Sequence, residues 1–311
     1  MNTEKFVVEG EDVGQTLPAV ARKHGFATTW SEARRLVSGG KVFLDGRAVI
    51  DETRRVRAGQ SIELKRTAPR PRPFVEGRLV HDDAQVVVLD KPSGISSVPF
   101  EKRELGTAMD LIRAHWRADG KKATDMPLHI VHRIDKDTSG LIVFAKTKLA
   151  ERFLAAQFRT HVVGRRYRCV VHGTLLTPPT GKRIETRFVD DRGDGIRGST
   201  RAPGKGVSAL TWVTAVEQIG EAATLCDVRL ETGKTHQIRI HLAEMGHPLV
   251  GETVYVRDYT GELLPSQRLL LHAATLAFEL PSGEKLTFES LLPSDFNAEL
   301  AALRKKYKRT K

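Results

Sequence analysis

The chain has 311 residues, 40% of them hydrophobic, with 50 lysines and arginines against 38 acidic residues and a formal net charge of +12. That length can bury a sizeable core and suits a large domain with a smaller one, while the charge calls for a polyanionic partner, nucleic acid or an anionic membrane. No apolar run reaches the roughly 18 to 20 residues that span a bilayer, and the start MNTEKFVVEGEDV lacks a signal peptide's basic-then-apolar pattern, so a soluble cytoplasmic protein with no membrane partner is expected.

In chain order, residues 12–65 read as a small α/β module. Helical periodicity runs through LPAVARKHG and SEARRLVSGG, followed by the alternating segments KVFLDGRAVI and SIELK. Asp45-Gly46 is a strong hairpin signal. Arg34, Arg35, Lys41, Arg47, Arg54, Arg55 and Arg57 give the module a basic side, readable as a polyanion-binding face or as a solvated charged surface. Residues 66–78 open with RTAPRPRP, in which proline alternates with positive charge, and predict an extended basic linker.

Beyond the linker, residues 79–300 predict the large domain. AQVVVLD is a buried-strand pattern, LGTAMDLIRAHW and KLAERFLAAQF are helical, and LHIVHRID and GLIVFAK are strands around a loop. RRYRCVVHG, VSALTWVTAVEQI, ATLCDVRLE, LLLHAATLAFEL and EKLTFESLL add further strands. The fold class expected is α+β, with a mixed, mainly antiparallel central sheet. Cys169 and Cys226 stand in apolar stretches and are predicted core residues, and the lack of a Cys-x-x-Cys pair argues against structural zinc. There is no Gly-x-Gly-x-x-Gly or Walker-type loop, hence no support for a nucleotide cofactor. The closing stretch 304–311, RKKYKRTK, reads as a disordered basic tail suited to phosphate contact.

Four segments interrupt buried patterns with polar residues. Asp90-Lys91-Pro92-Ser93-Gly94 forms a turn after a strand. HRIDKDTSGLIVFAKT packs His132, Arg133, Asp135, Lys136, Asp137, Thr138 and Ser139 between two apolar strands, a placement that marks a tight turn or a site. Asp135 beside an arginine can serve as nucleophile or general base, whereas Asp137 fits a turn that bonds its own backbone. Tyr167 in RRYRCVVHG is a packing residue or a phenol that stacks on a base or exchanges a proton. In ETGKTHQIRIHLAEMGHPLVGETVY, a helix from about Thr235 places Ile238, Leu242 and Met245 on one face, with Arg239 offset toward a cleft and Gly246 as the cap. His236, His241 and His247 lack the spacing of a metalloprotease motif, so no metal is expected.

LDKPSGISSVP, HRIDKDTSGLIVFAKT, RRYRCVVHG and TGKTHQIRIHLAEMGHPLVGETVY, in this order, resemble the successive motifs of the RluA family of pseudouridine synthases, and LLLHAATLAFELP is similar to its closing strand. Residues 12–65 resemble the S-four-type RNA-binding domain, with Gly14-Gln15-Thr16-Leu17 where Arg-Leu-Asp is usual and Asp45 where asparagine is common. The resemblance implies the pseudouridine synthase fold and a cofactor-independent isomerisation of uridine in structured RNA, ribosomal rather than transfer RNA; a monomer is the default expectation. It implies that Asp135 is nucleophile or base at the sugar, that Tyr167 stacks on the uracil, that Arg239 pairs with Asp135, and that Arg133 fills the gap left by a flipped nucleotide. It further marks His132, Thr138, Lys91, Lys234, His236 and Gln237 as substrate-binding, and Arg166 as the basic residue before the tyrosine. Two other readings stand beside it: a noncatalytic RNA-binding or assembly factor, which need not keep Asp135, Tyr167 and Arg239 together, and a glycoside hydrolase with Asp135 and Asp137 as its carboxylate pair.

Overall fold

The computed structural model describes residues 5–68, 77–99, 104–121 and 126–307. Most of the expected linker, residues 69–76, and residues 308–311 of the expected tail lie outside them. The chain divides into two compact units, Met1–Phe74 and Val75–Lys311.

In the first unit, β1 (Lys5–Val7), β2 (Val42–Leu44), β3 (Arg47–Val49) and β4 (Ser61–Leu64) form a sheet in the order β1-β4-β2-β3. Two helices accompany it, α1 (Leu17–Lys23) and α2 (Trp30–Ser38). Thr29 caps α2 by accepting from the Glu32 N–H at 3.1 Å, and Thr28 donates back to Glu32, which fixes where that helix starts. The β2–β3 turn has Asp45 and Gly46 both at positive φ, 50° and 78°, as the tight hairpin requires. Leu17, Val20, Val37, Val42 and Ile62 close the core. Residues before 12 thus belong to this unit, because β1 pairs with β4.

The second unit is built on a large twisted sheet. Its strands among the described residues are β5 (Arg78–Asp82), β6 (Val86–Lys91), β7 (His129–Ile130), β8 (Ser139–Ala145), β9 (Gly164–His172), β10 (Lys182–Val189), β11 (Gly198–Ser199), β12 (Val207–Ile219), β13 (Ala223–Leu230), β14 (Leu271–Glu279) and β15 (Lys285–Glu289). The order is β11-β10-β12-β13-β9-β14-β8-β6-β5, with β15 on β14 and β7 on β8. Neighbours pair antiparallel except β14 with β8, so the sheet is mixed and mainly antiparallel.

Strand alternation sorts the side chains to two faces. Val87, Leu89, Ile142 and Phe144 pack with Ile112 and Trp116 of α3 (Ala108–Ala118) and with Ile238 and Leu242 of α5 (Gln237–Glu244). Val86, Val88, Leu141 and Val143 pack against Ala150 and Leu154 of α4 (Lys148–Arg159). Each such side chain contributes roughly 1.5 to 3 kcal/mol of apolar burial. Covered on both faces, β6 and β8 read as unbroken apolar runs. Cys169 and Cys226 face each other in register on β9 and β13, fully buried.

Two elements differ from the sequence pattern. KRIETRFV predicts no strand yet forms β10: charged residues separate Ile184 from Phe188, and half of its residues are exposed. The end of the chain is helical, because α6 (Ser294–Lys306) buries Phe296, Leu300 and Leu303 at helical spacing and carries Arg304, Lys305 and Lys306 in its last turn. Those three residues are therefore ordered, contrary to the disordered tail expected from 304, and Arg304 forms an ion pair with Glu217 on β12.

Candidate active site

Asp135 lies in the loop between β7 and β8, and its side chain is 23% exposed. It borders a cleft of about 960 Å³ that is also lined by Arg133, Tyr167, Lys234 and His236. The turn after β6 holds this loop from beneath. Ser97 Oγ donates to the Ile134 carbonyl at 2.6 Å, the Gly94 N–H to the Lys136 carbonyl at 2.9 Å, and Ser93 Oγ to the Asp137 carbonyl at 2.7 Å. On the β8 side, Arg268 donates to Ser139 Oγ at 2.6 Å, and Ser139 Oγ lies 2.8 Å from His272 Nδ1. Six polar residues can crowd one loop here because the carbonyls of Ile134, Lys136 and Asp137 are satisfied by a neighbouring turn.

Arg239 reaches the site from α5 and is 6% exposed. Its Nη1 stands 3.8 Å from Asp135 Oδ2, beyond hydrogen-bond distance. Its close partner is Glu252, whose oxygens accept from Nε at 2.7 Å and Nη2 at 2.8 Å in a bidentate pair. Burial alone would lower the arginine's pKa, but the Glu252 contact and the Asp135 charge outweigh it and hold the pKa above the ordinary value. Arg239 therefore has two carboxylate partners, Glu252 closely and Asp135 at longer range. Tyr167, on β9, is buried at 8% exposure, and burial raises its phenol pKa, so it stays neutral and can stack or donate.

The profile of the RNA pseudouridylate synthase family matches residues 85–244, and that of the S4 domain matches residues 15–62. The ribosomal large subunit pseudouridine synthase D of Zymomonas mobilis is 31% identical over 308 residues, covering 95% of this chain and 96% of the relative. The chain belongs to the RluA family of RNA pseudouridine synthases. A Bacillus subtilis relative, named as an uncharacterized RNA pseudouridine synthase, is 32% identical over 89% of this chain and 90% of its own. The human RNA pseudouridylate synthase domain containing 4 shares the fold, with a TM-score of 0.58 at 24% identity over 73% of this chain and 92% of its own.

Two residues marked as substrate-binding by likeness to the RluA family are committed elsewhere. Lys91 does not border the cleft: its ammonium donates to the carbonyls of Pro92 (3.0 Å), Ile95 (2.8 Å) and Lys136 (3.0 Å), clamping the turn onto the Asp135 loop. Burial pushes its pKa down to about 7. Gln237 borders the cleft, but its oxygen accepts from Thr232 Oγ1 and the Lys234 N–H while its nitrogen donates to the Leu210 carbonyl and Thr211 Oγ1, leaving nothing for a substrate. His132 forms part of the cleft wall, its Nε2 accepting from the Val143 N–H at 3.1 Å and its ring stacked on Phe158 at 4.3 Å. Burial takes its pKa down to about 3, so the ring is neutral, as that acceptor role requires.

The remaining candidates do meet at the cleft. Arg133 is exposed, Lys234 and His236 are partly exposed, and Thr138 is buried, its N–H donating to the Asp135 carbonyl at 3.1 Å. The basic residue on Tyr167's face is Arg165 and not Arg166, since side chains two apart on a strand share a face. Arg165 is buried, lines the cleft and leaves Nε and Nη2 without a hydrogen-bond partner among the described residues, whereas Arg166 is exposed. The three histidines weighed for metal take separate partners: His236 bonds Tyr255, His241 bonds Thr211 and Thr186, and His247 bonds the His172 carbonyl.

Sequence reasoning missed Glu252, Tyr255 and Arg165. For Glu252 a signal existed: an acid in the apolar frame HPLVGETVY must find a cation if buried, and Arg239 lies 13 residues away.

Proposed function

We propose that this chain isomerises specific uridines of large-subunit ribosomal RNA to pseudouridine, with Asp135 attacking or deprotonating at the sugar. The support for the RNA class is the name carried by the Zymomonas relative, similar to this chain over nearly its whole length. The observation that carries the mechanism is the position of Asp135: a partly exposed carboxylate on the cleft wall, supported from below, with a guanidinium near but not bonded to it. Among the described residues no hydrogen bond occupies the lone pairs of its carboxylate, which leaves them to a substrate. The target nucleotide flips out of its stack, since neither the sugar carbon nor the ring edge can be enclosed while the base is paired.

In this reading Tyr167 stacks on the flipped uracil, Arg133 occupies the vacated gap, and Lys234, His236 and Thr138 line the route. The reaction exchanges a carbon–nitrogen glycosidic bond for a carbon–carbon one within the same nucleotide, so it draws on no external energy source. The exposed Arg34 and Arg35 of the first unit supply phosphate contacts. No helix among the described residues is long and apolar enough to cross a membrane. A cytoplasmic monomer acting on RNA is the corresponding cellular reading.

The decisive experiment is Asp135→Asn, which keeps the shape and removes the charge. Product should vanish while RNA affinity stays within a few-fold, because phosphate contacts dominate binding. Normal turnover by this variant would remove Asp135 from the chemistry. Binding and folding intact with no pseudouridine formed by the wild type on any ribosomal RNA would favour the noncatalytic reading.

A further inference from the structure

Glu252 is a carboxylate with no exposed surface, 0% by side chain, placed immediately after Gly251. Gly251 has φ +86°, and a Cβ on it would stand 1.9 Å from the Arg268 carbonyl, so only glycine permits this segment to lie against that backbone. The segment is therefore fixed, and Glu252 with it. Besides its two bonds from Arg239, Glu252 Oε1 accepts from the N–H groups of Thr253 at 2.9 Å and Val254 at 2.8 Å. Three residues on, the Tyr255 ring lies 5.3 Å from the Arg239 guanidinium carbon, and its hydroxyl bonds His236 Nδ1 at 2.7 Å.

This arrangement leaves the Nη1 edge of Arg239 facing Asp135. Were Glu252 absent, the guanidinium would be free to turn its full fork onto Asp135. A bidentate pair would then occupy the carboxylate's lone pairs and deepen its ionised state, making it a poorer nucleophile or base. With Glu252 in place, two carboxylates share one guanidinium and Asp135 is the one left loosely held.

We propose that Glu252 is a positioning residue of the reaction, holding Arg239 by its Nε and Nη2 so that the guanidinium steadies Asp135 without capturing it. The inference rests on the reading of Asp135 as the group that does the chemistry. It assigns Glu252 no contact with RNA.

The test is single-turnover rate against pH at saturating RNA for wild type, Glu252→Gln and Glu252→Asp, with RNA affinity and melting measured on the same samples. The other titratable groups near enough to feel the Asp135 charge are Lys91 at the end of β6, Tyr167 on β9, His236 beside α5 and Tyr255. All are retained in these variants, so a change in profile isolates Glu252. Glu252→Gln should lower the rate on the order of 10- to 100-fold through misplacement of the pair. Its acid limb should move to lower pH, because a guanidinium released from Glu252 acts more strongly on the Asp135 carboxylate. Glu252→Asp should restore the wild-type acid limb and part of the rate, and RNA affinity should be unchanged in both.

A Glu252→Gln protein with the wild-type rate and profile overturns the proposal. So does one that melts lower and turns over slower with the acid limb unmoved, which is what a purely structural role would give. If Glu252→Gln does not fold, Glu252→Asp decides: a reduced saturated rate with wild-type affinity and melting supports positioning, and a wild-type rate overturns it. Activity of Asp135→Asn would sink the underlying reading instead, so the two failures are told apart.

Discussion

Arg239 is the residue on which two carboxylates depend, and its removal has two separable effects. Arg239→Ala leaves Glu252 buried with no cation, a loss on the order of 3 to 5 kcal/mol. It also takes away the positive charge 3.8 Å from Asp135. The expected outcome is a lowered denaturation midpoint together with loss of turnover, any residual activity appearing only at higher pH than in the wild type. Denaturant melts and a pH–rate profile on one preparation check both. Buried histidines give a second residue-level expectation. Burial lowers His132 from 6.5 to about 3 and His241 from 6.5 to about 4. Because these folded-state values lie below the unfolded one, the unfolded chain takes up protons that the fold refuses. The stability is fully present above pH 6.5 and is lost progressively as pH falls from there toward about 4 for His241 and about 3 for His132. The denaturant midpoint should drop between pH 7 and pH 5, and His241→Gln, which can still bond Thr186 and Thr211, should reduce that drop. At this level residue types were legible and partners were not. HRID announced Asp135, but nothing in it distinguishes an arginine bonded to Asp135 from one bonded to Glu252.

Among the elements, the parallel pairing of β8 with β14 fixes the loop that carries Asp135. Its register runs through Gly140 opposite Ala273. Gly140 has φ +108°, and a Cβ there would meet the Ala273 backbone oxygen at 2.3 Å and nitrogen at 2.7 Å. Neither atom is the end of a flexible side chain, so the strands themselves would have to part. Gly140→Ala should therefore destabilise by about 2 to 4 kcal/mol and displace the loop, seen as a lower melting temperature and loss of turnover. Strongly periodic elements such as β6, β8, β12, β13 and α4 could be read from their apolar patterns. β10 could not, because an exposed strand rich in charge has little apolar alternation to show. α6 was hidden for another reason: its apolar residues Phe296, Leu300 and Leu303 precede a run of charges that has the composition of a tail.

Across the molecule, charge and chemistry are expected to divide between the two units. The first unit has its own core and exposed arginines on α2, while Asp135, Tyr167, Arg239 and Glu252 all lie in the second. Deleting residues 1–74 should weaken RNA binding and flatten its salt dependence by roughly 0.7 to 0.9 in log–log slope for every phosphate no longer neutralised. The single-turnover rate on a saturating short RNA should survive. Affinity titrations at several salt concentrations and a saturated rate would check this; unchanged binding with a collapsed rate in a folded protein would mean that the first unit helps build the active site.

Residue order alone was enough to establish the α+β class and its mixed sheet, because apolar periodicity is a local property of the chain, and the order of its four polar motifs was enough to mark the resemblance to the RluA family from which the class of chemistry follows. Which polar groups remain available to a substrate became visible in the folded molecule. Lys91 and Gln237 look like ligand-binding residues until backbone carbonyls and side chains distant in sequence are seen to use every donor they have. Arg165 lies at the cleft while Arg166 faces outward because strand alternation, anchored by Tyr167, turns one inward and the other out. Glu252 becomes Arg239's principal partner because a left-handed glycine lays its segment against a neighbouring backbone. Hydrogen bonds and ion pairs form between groups that the fold brings together, and a buried polar group takes whichever partner arrives there.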